Sequence, residues 1–198
     1  IYQELRHADG TLSASFRTRI AHIDTAEGTA FPWSRLVLAK LEALKGVTPD
    51  EAKPRSFNPD APGLPADQIT LDRVEQVGAP LIGMGAVPAV HCGPHGQMIP
   101  SWIIGRISDS VPNLLFDWRN RVGQNSGGRR MGAAVLEYRL RYHRLPQEGD
   151  RFVVHTSLGK VMGKTHNLIH WVMDPRSGGP WATCEVIAIS LDLDARKI

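Results

Sequence analysis

The sequence predicts an α+β fold, with one long helix packed on an antiparallel sheet. Two observations carry that prediction. Residues 98–111 read as a buried helix, because Trp102, Ile103, Ile104, Ile107 and Val111 make it apolar over much of its circumference. Four strand-like runs then close the chain, at 133–142, 151–157, 166–173 and 181–193. The segments Gln147-Glu148-Gly149-Asp150 and Asp174-Pro175-Arg176-Ser177-Gly178-Gly179 join two pairs of them as turns, which suits an antiparallel meander. In the first run Val135, Glu137, Arg139 and Arg141 alternate with Leu136, Tyr138, Leu140 and Tyr142, the period of a strand with two unlike faces.

Composition excludes several classes. The chain has 198 residues, 42% hydrophobic and 22% charged, too apolar and too weakly charged for a disordered chain. No apolar run approaches the roughly 18 residues that a membrane span requires. The 23 Lys and Arg against 20 Asp and Glu leave a net charge of +3, and the basic residues are scattered. A nucleic-acid partner, which needs a concentrated basic face, is not expected. Two cysteines, Cys92 and Cys184, imply no disulfide framework and make a reducing cytoplasm the default location. The chain opens at Ile1 in a strand-like stretch, so upstream residues are expected to be missing or removed.

The remaining elements follow in order. Residues 1–24 read as a hairpin, 2–6 and 12–23, around the turn Ala8-Asp9-Gly10-Thr11. Residues 33–44 place Leu36, Val37, Leu41 and Leu44 at helical spacing before Gly46. Pro49, Pro54, Pro59, Pro62 and Pro65 then deny regular hydrogen bonding, which marks a linker and the main boundary. A short helical piece at 70–77 precedes an extended stretch at 80–91, and 93–97 is a Gly/Pro turn. Pro112 is expected to interrupt or kink the central helix, or to open a new turn capped by Ser110. The expected organisation is a terminal hairpin and helix at 1–47, a linker at 48–79 and a complete domain at 80–198.

The stretch His91-Cys92-Gly93-Pro94-His95-Gly96-Gln97-Met98, followed by the helix containing Gly105-Arg106-Ile107-Ser108-Asp109, resembles the strand-to-helix turn of hotdog-fold acyl-CoA thioesterase-like proteins. The final strands and the turn Leu145–Asp150 resemble the meander that follows the helix in that superfamily. The resemblance covers residues 81–198 and implies an antiparallel sheet wrapped around a long central helix. Residues 2–33 resemble the last hairpin and exit of a second such unit, with 168–194 as internal counterpart. The whole then looks like a double hotdog whose first unit lacks its opening strand and helix. Hotdog pairing implies a homo-oligomer or pairing within the chain.

The same resemblance implies hydrolysis of an acyl-CoA or acyl-carrier thioester, with the CoA or carrier as part of the substrate and no separate cofactor. Backbone N–H groups at Gly96, Gln97 and Met98, at the head of the helix, would hold the developing oxyanion. Where many relatives carry a catalytic Asp, this sequence has Gly93, which can act neither as base nor as nucleophile. His95 or His91 could serve as base, Asp109 could face the acyl cleft, or the acid could lie in the other unit. Gly93 also favours the alternative of a non-catalytic acyl-thioester-binding or assembly subunit. A dehydratase or hydratase is less supported, for want of an Asp/His active-site motif.

Gly127, Gly128, Arg129 and Arg130 are the candidate phosphate contact for the nucleotide end of CoA, since glycine-rich backbone and paired guanidinium groups suit an anion. A mobile loop with solvated charges is the competing reading. His166 and His170 share a strand face without a third ligand, so structural use is expected rather than metal binding. Cys92 and Cys184 are expected to be small core residues. Trp102, Ile103 and Ile107 either shape an acyl slot or pack on the sheet.

Overall fold

The computed structural model describes residues 1–24, 30–58, 60–125 and 130–198, with the backbone alone for 117–125 and 131. The chain divides into two compact units, Ile1–Arg55 and Ser56–Ile198.

In the first unit β1 (Tyr2–Arg6) and β2 (Leu12–Arg17) form an antiparallel hairpin, with Tyr2 opposite Arg17 and Arg6 opposite Leu12. The turn is closed locally: the Asp9 carboxylate accepts from the Thr11 N–H at 2.8 Å, and Arg6 Nη1 donates to the Gly10 carbonyl at 2.8 Å. The second strand ends at Arg17 rather than continuing to Ile23, with the Thr18 N–H donating to Ile1 O at 2.8 Å just beyond it. Ile23 instead pairs with Ala30 as a single bridge. Helix α1 spans Arg35–Ala43, and the Ser34 hydroxyl caps it by accepting from the Val37 N–H at 3.3 Å.

The second unit holds the complete fold. Its strands are β3 (Leu81–Ala86), β4 (Met131–Tyr142), β5 (Arg151–Met162), β6 (Thr165–Met173) and β7 (Pro180–Asp192), in the spatial order β3-β5-β6-β7-β4. All neighbouring pairs are antiparallel. Helix α3 (Ser101–Asn125) connects the two edge strands and lies across one face of the sheet. Ile103 and Ile107 from the helix meet Ile82, Phe152, Val154, Val172, Cys184 and Val186 in the main core. This is the α+β hotdog arrangement that the sequence implied.

Three expectations change. Helix α3 begins at Ser101, not Met98, because the Met98 N–H donates to Pro146 O (2.8 Å) and the Ile99 N–H to His91 O (2.8 Å). Those amides are committed to extended pairing, so the helix starts after Pro100. Pro112 does not end the helix, which runs on to Asn125. The proline forfeits one backbone bond, while Ile103, Ile107, Val111 and Leu114 hold the helix to the core on both sides of it.

The third change concerns the linker. From Ser56 onward it packs against the sheet face opposite α3. Helix α2 (Leu71–Gln76), capped by Thr70, places Val74 beside Ile69, Ala79 and Met173 in a second buried cluster, with Val153 and Trp171 against it. Arg139 and Arg141 each donate to the Ala61 carbonyl, at 2.6 and 2.7 Å. The boundary therefore falls between Arg55 and Ser56. Prolines exclude regular structure here, yet Ile69, Val74 and Ala79 still gain by covering apolar sheet.

One glycine sets the approach of helix to edge strand. A Cβ on Gly83 would lie 2.0 Å from Ser110 Oγ and 2.7 Å from its Cβ. Gly83→Ala is expected to cost about 1–3 kcal/mol through overpacking, measured as a lower urea midpoint with an unchanged slope.

Candidate functional site

The turn before α3 is built by four backbone contacts. The Gly96 N–H donates to Gly93 O at 3.0 Å and the Gly93 N–H to Gln97 O at 2.8 Å, closing a small loop over Pro94 and His95. Gly96 has φ of +76°, a left-handed conformation that favours glycine. The Met98 N–H donates to Pro146 O and the Glu148 N–H to Gly96 O, at 2.8 and 2.9 Å, which pins the turn to the β4–β5 connection. Gln97 sits opposite Gln147 between those two bonds.

This geometry separates the three expected oxyanion donors. The Gly96 and Met98 amides are already engaged with carbonyls. The Gln97 N–H has no acceptor among the described residues. Because α3 starts at Ser101, all three lie before its first turn rather than in it. The dipole expected to act at these amides is therefore displaced from them along the chain.

His95 is exposed at the tip of the turn, two residues from Gln97. His91 is 9% exposed and stacks on Trp102 with ring centroids 3.7 Å apart, and its buried Nδ1 has no hydrogen-bond partner among the described residues. Gly93 has space around it: a Cβ there would come no closer than 3.8 Å to Gln97 O and 4.0 Å to the Ile99 side chain. Asp109 is exposed on α3 and pairs with Arg106 at 2.8 Å. Eight residues separate it from Ser101, about 12 Å along a helix, so the structure does not bring it to the turn.

Asp109 belongs instead to a cleft of about 500 Å³ between β3 and α3. Arg106, Asp109, Ser110 and Asn113 line its helix side, and Leu81, Met84 and Phe152 supply apolar wall. Asn113 Nδ2 donates to Ile82 O at 2.7 Å, and Ser110 Oγ donates to Arg106 O at 2.7 Å. The spacing 106, 109, 110, 113 is one face of a helix. That polar stripe is present in the sequence beside the apolar one, and only the neighbouring β3 gives it a wall to face. Ile103 and Ile107 are 1% and 4% exposed and pack on the sheet, whereas Trp102 stays on the accessible side beside Arg106.

Gly127, Gly128 and Arg129 of the candidate phosphate loop lie outside the described residues. Arg130 is described, and its guanidinium pairs with Asp194 at 2.7 Å, which ties the start of β4 to the end of the chain. His170 is buried, with Nδ1 2.7 Å from Thr156 Oγ1. Burial pushes the Cys184 thiol up to about 12, and burial with the nearby Glu148 charge raises that of Cys92. Neither is a thiolate at neutral pH.

The sheet order and the helix that crosses it define a hotdog fold. Residues 106–198 match the model of the thioesterase-like superfamily. Among solved structures, the chain is similar to the probable thioesterase YbaW of Escherichia coli, at 15% identity and a TM-score of 0.50, over 58% of this chain and 85% of that one. It is also similar to a Staphylococcus aureus protein solved in complex with CoA, at 17% identity and a TM-score of 0.51, over 60% and 75% of the two chains. At these identities the likeness establishes the fold. No curated protein matches the chain in sequence.

Proposed function

We propose that the protein hydrolyses an acyl thioester carried on CoA or an acyl carrier, using the turn at 93–98. The observation that carries this reading is the Gln97 N–H, left without an acceptor among the described residues between two amides that are engaged. A thioester carbonyl placed against it would receive one preorganised donor as negative charge develops. His95, exposed in the same turn, takes the proton from a water that attacks the carbonyl carbon. The C–S bond then breaks and the thiol leaves with the proton. The superfamily match, and the CoA bound to a protein of the same fold, support the substrate class. Release of free thiol from a panel of acyl-CoAs tests it directly. No release from any member removes it.

Gly93 favours a second reading, an acyl-thioester-binding subunit without chemistry, because no carboxylate stands in the turn. Gly93→Asp separates the two. A Cβ at this position meets only ordinary van der Waals contacts, the nearest at 3.8 Å. If the turn is a hydrolytic site, the added carboxylate is expected to raise turnover by about tenfold or more. Unchanged thiol release, with acyl-CoA binding retained in calorimetry, favours the binding subunit. The repeat of hairpin pattern between β1–β2 and β6–β7 supports taking the first unit as the end of another hotdog unit, and pairing of units as the assembly mode. Light scattering that finds only a compact monomer counts against pairing between chains.

A further inference from the structure

The cleft between β3 and α3 is not used by the chemistry at the turn, and its two walls differ. Leu81 and Met84 are 47% and 70% exposed at the edge strand, an apolar surface facing a polar helix stripe. On that stripe two of the polar groups are occupied. Ser110 donates to a backbone carbonyl of its own helix, and Asn113 donates to Ile82 O. Arg106 is different. One nitrogen, Nη2, pairs with Asp109, while Nε is buried with no hydrogen-bond partner among the described residues. A buried donor without an acceptor is costly, and the Arg106 side chain, 27% exposed, lines the cleft where a ligand oxygen would sit.

We propose that this cleft takes the acyl group of the substrate, and that Arg106 makes it selective for acyl groups bearing an uncharged oxygen, such as a hydroxyl, over plain hydrocarbon. The inference rests on the thioesterase reading and names its substrate class. Arg106 lies five residues into the helix from Ser101, about 7.5 Å along its axis, so an acyl chain that runs along the helix from its start meets Arg106 at medium length. Met84, Leu81 and Phe152 provide the apolar contact for its methylenes. A terminal carboxylate fits less well than a hydroxyl. Asp109 already neutralises Arg106 and would stand beside a second negative charge.

The test compares hexanoyl-CoA, 6-hydroxyhexanoyl-CoA and adipoyl-CoA as substrates of the full chain. The hydroxyacyl substrate is expected to exceed the other two in kcat/KM by about tenfold, the worth of one hydrogen bond. Arg106→Met and Arg106→Lys should both erase that preference, since lysine keeps the charge but has no Nε–H of this kind. Equal or better use of hexanoyl-CoA, a preference for adipoyl-CoA, or a preference that survives in both variants overturns the proposal. A second measurement is independent of turnover. In nitrogen-15 spectra, 6-hydroxyhexanamide should shift the Arg106 Nε–H signal and hexanamide should not. Absence of thiol release with the selective shift present defeats the hydrolytic reading alone. Thiol release without selectivity or shift defeats this inference alone.

Discussion

Acidification from pH 6.5 to pH 4 is expected to remove about 3 kcal/mol of stability through one residue, His170. The side chain sits on β6 under α3, 2% exposed, opposite Thr156 on β5 and Cys184 on β7. Burial pushes its imidazole down from the usual 6.5 to about 4. The unfolded chain binds a proton there below pH 6.5, while the folded chain does not until about pH 4. Stability is therefore complete above pH 6.5, declines as the pH falls through that window, and loses no more from this group below pH 4. Asp174 acts in a lower range. Burial raises its carboxyl, but hydrogen bonds from Ser177, Arg176 and Arg144 outweigh that and hold it below the usual carboxylate value. Denaturant titrations at stepped pH should show the slope. His170→Gln should flatten it even if the variant is less stable throughout. A slope retained in the variant assigns the effect to other groups.

His170 also shows where sequence reasoning stops. Alternation along 166–173 placed His166 and His170 on one strand face. The depth of burial came from the register, which sets His170 between Thr156 and Cys184 in the middle of the sheet. Register is a long-range property, and no local pattern states it. The strands themselves were legible because β4 to β7 alternate and are bounded by turn residues. Helix α3 was legible through Ile103 and Ile107, but its start was not. Pairing of Met98 with Pro146, 48 positions away, decides that the chain remains extended until Pro100.

The same long-range pairing reshaped the site. Gly96, Gln97 and Met98 are equivalent as a sequence, three backbone amides in a turn. Contact with the β4–β5 connection leaves Gln97, of the three, with an N–H that has no acceptor among the described residues. The covering role of residues 56–79 was obscured for a related reason. Proline density correctly excludes long helices and strands, but it carries no information on which face Ile69 and Val74 seek. Arg106 and Asn113 escaped because polar residues on a helix ordinarily face solvent. Their significance depends on β3 lying alongside, which Gly83 permits.

Replacement of His95 by alanine is expected to lower kcat by about 10²–10⁴-fold with little change in KM, as loss of a general base does. His95 is exposed at the tip of the turn and a Cβ carries no part of its fold, so Ala should leave stability close to that of the parent. The comparison with Asp109→Asn is decisive. Asp109 is held by Arg106 in the cleft, about 12 Å along α3 from its first residue. Its loss should alter acyl preference and KM before it alters kcat. If Asp109→Asn instead abolishes turnover while His95→Ala retains it, the reacting carbonyl lies in the cleft and the turn serves only to shape its entrance. If both variants retain turnover, the buried His91 ring beside the turn is the next base to test, and His91→Gln should then carry the loss. Its stacking on Trp102 at 3.7 Å gives that variant a separate signature, a change in tryptophan fluorescence. A fall in kcat with that fluorescence unchanged therefore marks His95 as the base.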